Sequence, residues 1–191
     1  MTHPTPTYPA KASRSRRKDA VRSCGLRLPR SVRSPADAAA LFPAEALAGP
    51  GEKMLLALLD QDGGVLGDEW IAAGAGGSLA YDPSLVARRL AEMGAAWFLL
   101  VHNHPGGNPT LSETDAAGVR TSLLRPPPLL FRFLDFLAVA PPERPGVAPR
   151  FESFRHGPAG RDLAFARAAF YGEGRPRAAG RRKRLPAMAS R

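Results

Sequence analysis

Residues 97–115 read WFLLVHNHPGGNPTLSETD, and this stretch decides both the fold and the chemistry that the sequence predicts. It opens with five apolar residues, 97–101, which is the pattern of a strand buried on both faces. His102 and His104 follow directly, then a loop rich in glycine and proline, and then the polar residues that begin the next helix. The sequence thus predicts a buried strand whose end presents two histidines beside a loop, a usual position for functional groups.

The two histidines are spaced to bind a single ion. Side chains at positions i and i+2 of an extended strand point to the same face, so both imidazoles can reach one cation at the ~2.0–2.1 Å that zinc requires. Asp115, at the start of the following helix, can supply a third ligand and leave a fourth position for water. Three protein ligands plus water is the arrangement of catalytic zinc, whereas structural zinc sites are closed. The spacing therefore allows His102, His104 and Asp115 to bind one Zn²⁺ per chain.

A purely structural interpretation stands beside each of these residues. A single histidine at a strand end is more often hydrogen-bonded than metal-bound. Ser112 with Asp115 matches the S-x-x-D capping box of a helix N-terminus, worth ~1 kcal/mol without any metal. Taken alone, this pattern is more often a cap than a metal ligand. Two histidines at i and i+2 favour the metal site, because a scaffold gains little stability from packing two polar rings there. Capping and metal binding are also compatible, since a capped helix start would hold Asp115 rigid.

Outward from this stretch, hydrophobic spacing and turn residues predict strands and helices in a mixed order. The predicted elements are a short helix from Ser34 that ends by 49–51, strands at 54–59 and 65–73, a helix from Asp82 to Gly94, the strand at 97–101, a helix to Leu124, strands at 129–139 and 151–154, and a helix near 161–170. This order indicates an α/β (α+β) sandwich built on a single mixed β-sheet flanked by helices.

The charge of the chain is concentrated at its two ends. Lys and Arg total 27 against 17 Asp and Glu, a formal net charge of +10. Residues 1–33 carry nine basic side chains and one acidic, and residues 171–191 carry seven and one, so the remainder is mildly acidic. We expect a disordered basic tail at 1–33, one domain at 34–170 and a second disordered basic tail at 171–191. The tails could contact nucleic-acid phosphates without sequence specificity, or serve only to keep the chain soluble.

Composition excludes several other classes of protein. The single cysteine, Cys24, excludes a disulfide framework and any cysteine-based zinc site. The longest apolar runs, such as 54–59, are far shorter than the ~20 residues of a membrane span, and no apolar segment of a signal peptide follows the basic N-terminus. The Arg and Ser content of that terminus does resemble a transit peptide. We expect a cytoplasmic protein with no membrane contact; no pattern in the sequence indicates an oligomeric state.

The residues HNHP at 102–105, followed by Ser112 and Asp115, resemble the signature H-x-H-P-x6-S-x2-D of the JAMM (JAB/MPN) metalloproteases. Within that superfamily the chain is most similar to the RadC branch, over roughly residues 34–157. The resemblance implies a JAB/MPN-like (cytidine-deaminase-like) sandwich. It also implies a zinc-dependent hydrolase that cleaves a peptide or isopeptide bond in a protein or peptide substrate.

The resemblance assigns two further roles. The family uses a glutamate on a strand upstream of the histidines, acting through the metal-bound water, and Glu69 stands at that place. The alternative is that Glu69 is an ordinary solvent-facing strand residue. Ser112 would hydrogen-bond the oxyanion of the tetrahedral intermediate, a role worth ~3–4 kcal/mol in other hydrolases.

Two departures from the branch bear on these assignments. Phe136 stands where the branch usually has a histidine, and residues 73–75 lack its usual Gly-Thr. Two alternatives to an active enzyme also stay open. The chain could be a non-enzymatic RadC-like protein associated with DNA repair, or an accessory protein, that contacts nucleic acid through its basic tails. It could also be a metal-stabilised interaction domain whose chemistry has lapsed.

Overall fold

The apolar run at 97–101 forms the middle strand of a five-stranded sheet. A computed structural model describes residues 31–74, 81–124, 129–144 and 146–160. The strands are β1 (Glu52–Leu59), β2 (Val65–Gly74), β3 (Trp97–Asn103), β4 (Phe133–Ala140) and β5 (Arg150–Ser153). The helices are α1 (Pro35–Ala39), α2 (Ala44–Leu47), α3 (Pro83–Met93) and α4 (Glu113–Leu124).

The sheet is mixed, with the strand order β2-β1-β3-β4-β5. Strand β3 pairs parallel with β4, and the other three neighbouring pairs are antiparallel. Helices α3 and α4 pack on one face of the sheet, and α1 and α2 pack on the other. The predicted α/β fold with a single mixed sheet flanked by helices is therefore confirmed.

Most of the predicted elements are present, because short-range signals specify their ends. The hydroxyl of Ser34 accepts a hydrogen bond from the Asp37 amide at 3.1 Å, which caps α1 as predicted. In the turn that joins β1 to β2, Asp60 Oδ1 accepts a hydrogen bond from the amide of Gly64 at 2.7 Å and closes the turn. Gly94 ends α3 in the left-handed conformation, with φ +59°, that a glycine adopts without strain.

Three predicted boundaries differ from the structure. The first helix is split in two at Pro43, which lacks the amide hydrogen that a continuous helix would use. The strand predicted at 129–139 starts later, because residues Leu130–Arg132 form a turn of 3₁₀ helix before β4. The fold also begins before Ser34, since Val32 is fully buried and Ser31 pairs with Gly64.

Other predictions lie outside the described residues. These are the helix near 161–170, the tail at 171–191 and residues 1–30 of the N-terminal tail. In the part of the chain that the structure describes, none of the helices has the length and apolar character needed to cross a membrane.

Candidate metal centre

Strand β3 carries His102 into the interior of the protein. Phe98 and Leu100 precede it on the same face of the strand and belong to the core beneath α3 and α4. His102 is completely buried, at 0% exposure. Two residues further, the amide of His104 donates to the carbonyl of Val139 at 2.7 Å, so the second histidine is still held by the neighbouring strand.

Asn103 lies between the two histidines, and its side chain anchors the tip of β3 from the opposite face of the sheet. Its Oδ1 accepts from the amide of Lys53 at 2.7 Å, and its Nδ2 donates to the carbonyls of Ala46 and Leu47 at 3.0 and 3.2 Å. The side chain is completely buried. Asn103 therefore ties the strand tip to β1 and α2, and the backbone that carries both histidines has little freedom to move.

His104 is oriented by a hydrogen bond on one ring nitrogen. Its Nδ1 lies 2.7 Å from the carbonyl oxygen of Asn108. A carbonyl only accepts, so Nδ1 carries the hydrogen and the lone pair of neutral His104 is on Nε2. That Nε2 lies 3.6 Å from Oδ2 of Asp115. Because the Asp115 carboxylate attracts a proton on Nε2, it raises the pKa of His104 above its ordinary value, against the opposing effect of partial burial.

Asp115 is held by the capping box that the sequence predicts as an alternative role. The Ser112 hydroxyl accepts from the Asp115 amide at 3.1 Å, while Asp115 Oδ2 accepts from the Ser112 amide at 2.9 Å and from the Ser112 hydroxyl at 2.6 Å. Partial burial would raise the pKa of this carboxyl, but the interaction with His104 and the hydrogen bonds from Ser112 outweigh it and lower the pKa well below the usual range. Asp115 is thus an anion in a fixed position.

The loop between the histidines and α4 is fastened to the last strand of the sheet. Arg150 donates to the carbonyl of Gly107, and Glu152 Oε2 accepts from the amide of Leu111 at 3.1 Å. Gly107 has φ +85°, a conformation that favours glycine. These contacts bring the start of α4 back over the end of β3, so that Asp115 faces His104.

The structure thus brings together His102, His104 and Asp115. Their potential ligand atoms all lie within 4.8 Å of one another, and no other such group occurs among the described residues. In that part of the chain, neither ring nitrogen of His102 has a hydrogen-bond partner. Two unpaired nitrogens on a fully buried imidazole are costly unless a ligand uses one of them. The donor set of two imidazoles and one carboxylate suits zinc, so the residues fit the predicted ion.

The environment of His102 also keeps it in the form that binds metal. Burial, together with the neighbouring His104, lowers the pKa of His102 to about 4. Its imidazole is therefore neutral at pH 7 and carries a free lone pair.

The Glu69 carboxylate is bound to Arg89 and not to the cluster of His102, His104 and Asp115. Its two carboxylate oxygens accept from Arg89 of α3, Oε2 from Nε at 2.6 Å and Oε1 from Nη2 at 2.9 Å. In the sheet, Glu69 on β2 is aligned with Leu56 of β1, which in turn is aligned with Leu100, two residues before His102. Glu69 therefore lies on the same face of the sheet as His102, two strands away. It is not part of the group formed by His102, His104 and Asp115.

Sequence reasoning missed two residues that contact the candidate site residues. Arg89 is one of two adjacent arginines on α3, and nothing in its spacing from Glu69 indicates an ion pair across the fold. Phe136 is visible in the sequence only as a replacement for a family histidine. In the structure its ring stacks on His102, with ring centroids 4.8 Å apart and an interplanar angle of 27°.

The chain is similar to a known domain family and to two curated proteins. The family model of the RadC-like JAB domain matches residues 32–140, which include β1 to β4 and the three clustered residues. A UPF0758 protein of Rhodobacter capsulatus is 37% identical over 68 residues, or 36% of this chain and 32% of that protein. A UPF0758 protein of Ruegeria pomeroyi is 38% identical over 64 residues, or 34% of this chain and 29% of that protein. The aligned part of the chain spans about a third of the length of these curated relatives.

Proposed function

The chain belongs to the RadC-like JAB domain family, and from that premise we propose that it is a zinc-dependent hydrolase that cleaves a peptide or isopeptide bond. One observation carries the proposal. His102 is fully buried, with both ring nitrogens unpaired among the described residues, and it shares a 4.8 Å cluster with His104 and Asp115. The printed names of the relatives state no substrate, so the bond type is inferred from the resemblance of residues 102–115 to the JAMM signature.

His102, His104 and Asp115 would hold the ion. Bound there, the ion would supply polarisation of a water molecule and of a substrate carbonyl, with the pKa of the water lowered to about 7. His104 contributes its Nε2, because Nδ1 donates to the Asn108 carbonyl. The capping box holds Asp115 from the other side of the cluster. The ligand set is thus arranged before the metal arrives, which favours tight binding.

Glu69 would take the proton of the attacking water and pass it to the leaving amine. Glu69 lies two strands from the histidines, so its carboxylate would have to turn from Arg89 toward the cluster to do this. Ser112 would donate to the oxyanion. Its hydroxyl hydrogen is directed at Asp115 and would have to rotate toward the substrate.

Metal content tests the first part of the proposal. The full chain, purified without a histidine tag, is expected to contain about one zinc ion per molecule by elemental analysis. The His102→Ala variant is expected to contain none. His156→Ala is the matched control, because His156 contacts Ser153 and lies outside the cluster. Equal zinc contents in the wild-type chain and His102→Ala would contradict the site.

Hydrolysis tests the second part. The full chain is incubated with a pool of peptides and lysine-branched isopeptides, and the products are identified by mass spectrometry. Glu69→Gln is expected to lose hydrolysis while it retains zinc. Glu92→Gln serves as the control, because Glu92 also contacts Arg89 but lies on α3. Hydrolysis that survives in Glu69→Gln would remove Glu69 from the mechanism, and zinc without any hydrolysis would favour a lapsed enzyme.

The alternative of nucleic-acid binding through the basic tails depends on residues 1–33 and 171–191. Of these, the structure describes only 31–33. That alternative stays a prediction of the sequence, tested by salt-dependent DNA binding of chains that lack one tail or the other.

A further inference from the structure

The two histidines of the cluster are held in different ways. The Nδ1 of His104 donates to the Asn108 carbonyl at 2.7 Å, which fixes both the tautomer and the plane of the ring. Metal-binding histidines in proteins are usually oriented by such a hydrogen bond on the nitrogen that does not bind the metal. His102 has no such bond, because neither of its ring nitrogens has a partner among the described residues. Another contact must therefore fix its ring.

Phe136 of β4 makes that contact. It is aligned with Leu100 in the parallel pairing of β3 and β4, so its side chain lies on the same face as that of His102. The two rings stack with centroids 4.8 Å apart and planes inclined by 27°. The ring of His104 meets His102 edge-on, with centroids 4.5 Å apart and planes inclined by 78°. His102 is thus packed against aromatic rings in two directions, a geometry that aromatic pairs prefer.

The stacked ring has no room to move away. Phe136 is only 1% exposed and belongs to the same buried cluster as Phe98 and Leu100. Because a phenyl ring neither donates nor accepts a conventional hydrogen bond, the stack restricts rotation of the imidazole while it leaves both nitrogens available.

We propose that Phe136 is a positioning residue of the metal site, which fixes the plane of the His102 imidazole by stacking where other sites use a hydrogen bond. The inference rests on the proposed function, since it concerns the same metal site. An imidazole that is already oriented loses less conformational freedom when it binds an ion, so removal of the stacking ring weakens metal binding. Altered partners of metal ligands typically cost 10- to 100-fold in metal affinity.

Cobalt titration of the full chain tests this inference, because Co²⁺ in a site of low coordination number absorbs visible light. The variants Phe136→Leu and Phe136→Met remove the ring and leave a buried apolar side chain of similar size. Each is expected to bind Co²⁺ about tenfold more weakly than the wild-type chain, with a changed visible spectrum. The matched control is Phe98→Leu, which makes the same change at a fully buried phenylalanine that packs edge-on against Phe133. It is expected to bind Co²⁺ within about twofold of wild type.

Far-UV circular dichroism at the titration temperature shows which variants are folded, and two ring-free variants are used so that one folded chain suffices. Wild-type Co²⁺ affinity in either folded Phe136 variant would overturn the inference. Equal weakening by Phe98→Leu would overturn it as well, since the effect would then belong to the core in general. Failure of the wild-type chain to bind Co²⁺ or Zn²⁺ has a different meaning, because it would overturn the metal site itself and this inference with it.

Discussion

The ligand cluster at the tip of β3 and the ion pair between β2 and α3 are the two halves of the proposed site, and they are built differently. In the cluster, His102, His104 and Asp115 come from one strand, the loop after it and the next helix. Hydrogen bonds with the backbone hold His104 and Asp115, and aromatic stacking holds His102. The ion pair joins an edge strand to a helix. Its side chains, Arg89 and Glu69, are 24% and 32% exposed and meet only each other and Glu92 in the contacts described above.

This difference separates the two functions of the site. The cluster is assembled without any ion, so metal binding depends on residues that hardly move. In the proposed reaction Glu69 would be the part that moves, because its carboxylate is bound to Arg89, two strands from the histidines. We therefore expect changes in the cluster to abolish metal binding, and changes in the ion pair to alter hydrolysis while zinc is retained.

The largest expected effect comes from Asp115. Asp115→Asn removes the only anionic ligand, so the zinc affinity is expected to fall by more than about 100-fold, beyond the usual cost of changing a residue that merely supports a ligand. Competition titration with a zinc-binding dye measures it. Asp82→Asn is the control, because Asp82 caps α3 through the amide of Ser84 and Asn caps equally well. Equal zinc affinities in the two variants would show that the cluster is only a capping motif.

The pKa of His102 is expected to lie well below that of His104 in the metal-free chain. Burial and the neighbouring His104 lower the pKa of His102 to about 4, while the Asp115 carboxylate raises the pKa of His104 above its ordinary value. NMR titration of the imidazole signals measures both. Identical titration of the two rings would contradict the buried geometry of His102.

The lowered pKa of His102 also makes the stability of the chain depend on pH. Between pH 6.5 and about 4 the unfolded chain binds a proton at His102 that the native chain does not, so this contribution to stability is lost as the pH falls through that window. The loss is on the order of 3 kcal/mol for the metal-free chain. Urea unfolding at both ends of the window measures it, and the loss is expected to be smaller in His102→Leu. An equal loss in that variant would assign the pH dependence to other groups.

A smaller effect on stability is expected at Asn103. Asn103→Ala leaves the Lys53 amide and the Ala46 and Leu47 carbonyls without their side-chain partner, at a cost of about 2 kcal/mol in the free energy of unfolding. Urea unfolding of the full chain measures the change. Zinc affinity is expected to fall as well, since the strand tip that carries both histidines is loosened. Unchanged zinc affinity in a destabilised variant would show that the tip is held by the sheet alone.

The same contrast explains how much of the site could be predicted. His102, His104 and Asp115 lie within 14 residues of sequence, on a strand, a loop and a helix start whose signals are local, so their convergence follows from spacing. The strands and most helix ends were likewise predictable from periodicity and caps. The exceptions have specific causes: Pro43 divides the first helix, and the chain turns once at Leu130–Arg132 before β4.

Contacts between distant parts of the chain could not be predicted. The pairing of Glu69 with Arg89 depends on the register of β2 and on how α3 lies across the sheet, neither of which is encoded in local spacing. The same holds for Phe136, whose stacking on His102 follows from the parallel pairing of β3 with β4. The sequence predicts which residues of a strand share a face of the sheet. It does not predict which residue of another strand lies beside them, because that depends on the strand order.

The smallest expected effect is on the rate of hydrolysis and comes from Arg89. In Arg89→Ala the Glu69 carboxylate no longer has to leave a bidentate partner before it accepts a proton. A partly exposed ion pair of this kind is worth about 1 kcal/mol, which corresponds to about a fivefold increase in kcat. Zinc affinity is expected to be unchanged, because Arg89 makes no contact with the cluster in the described structure.

The neighbouring arginine provides the control for this variant. Arg88 is 63% exposed and, among the described residues, approaches only Glu92, at 3.9 Å. Arg88→Ala therefore removes the same charge from α3 and leaves Glu69 bound to Arg89. It is expected to hydrolyse the substrate at the wild-type rate. If Arg89→Ala instead loses hydrolysis as Glu69→Gln does, while Arg88→Ala does not, the ion pair holds Glu69 in its working position. Glu69 would then be held in place as firmly as the residues of the ligand cluster.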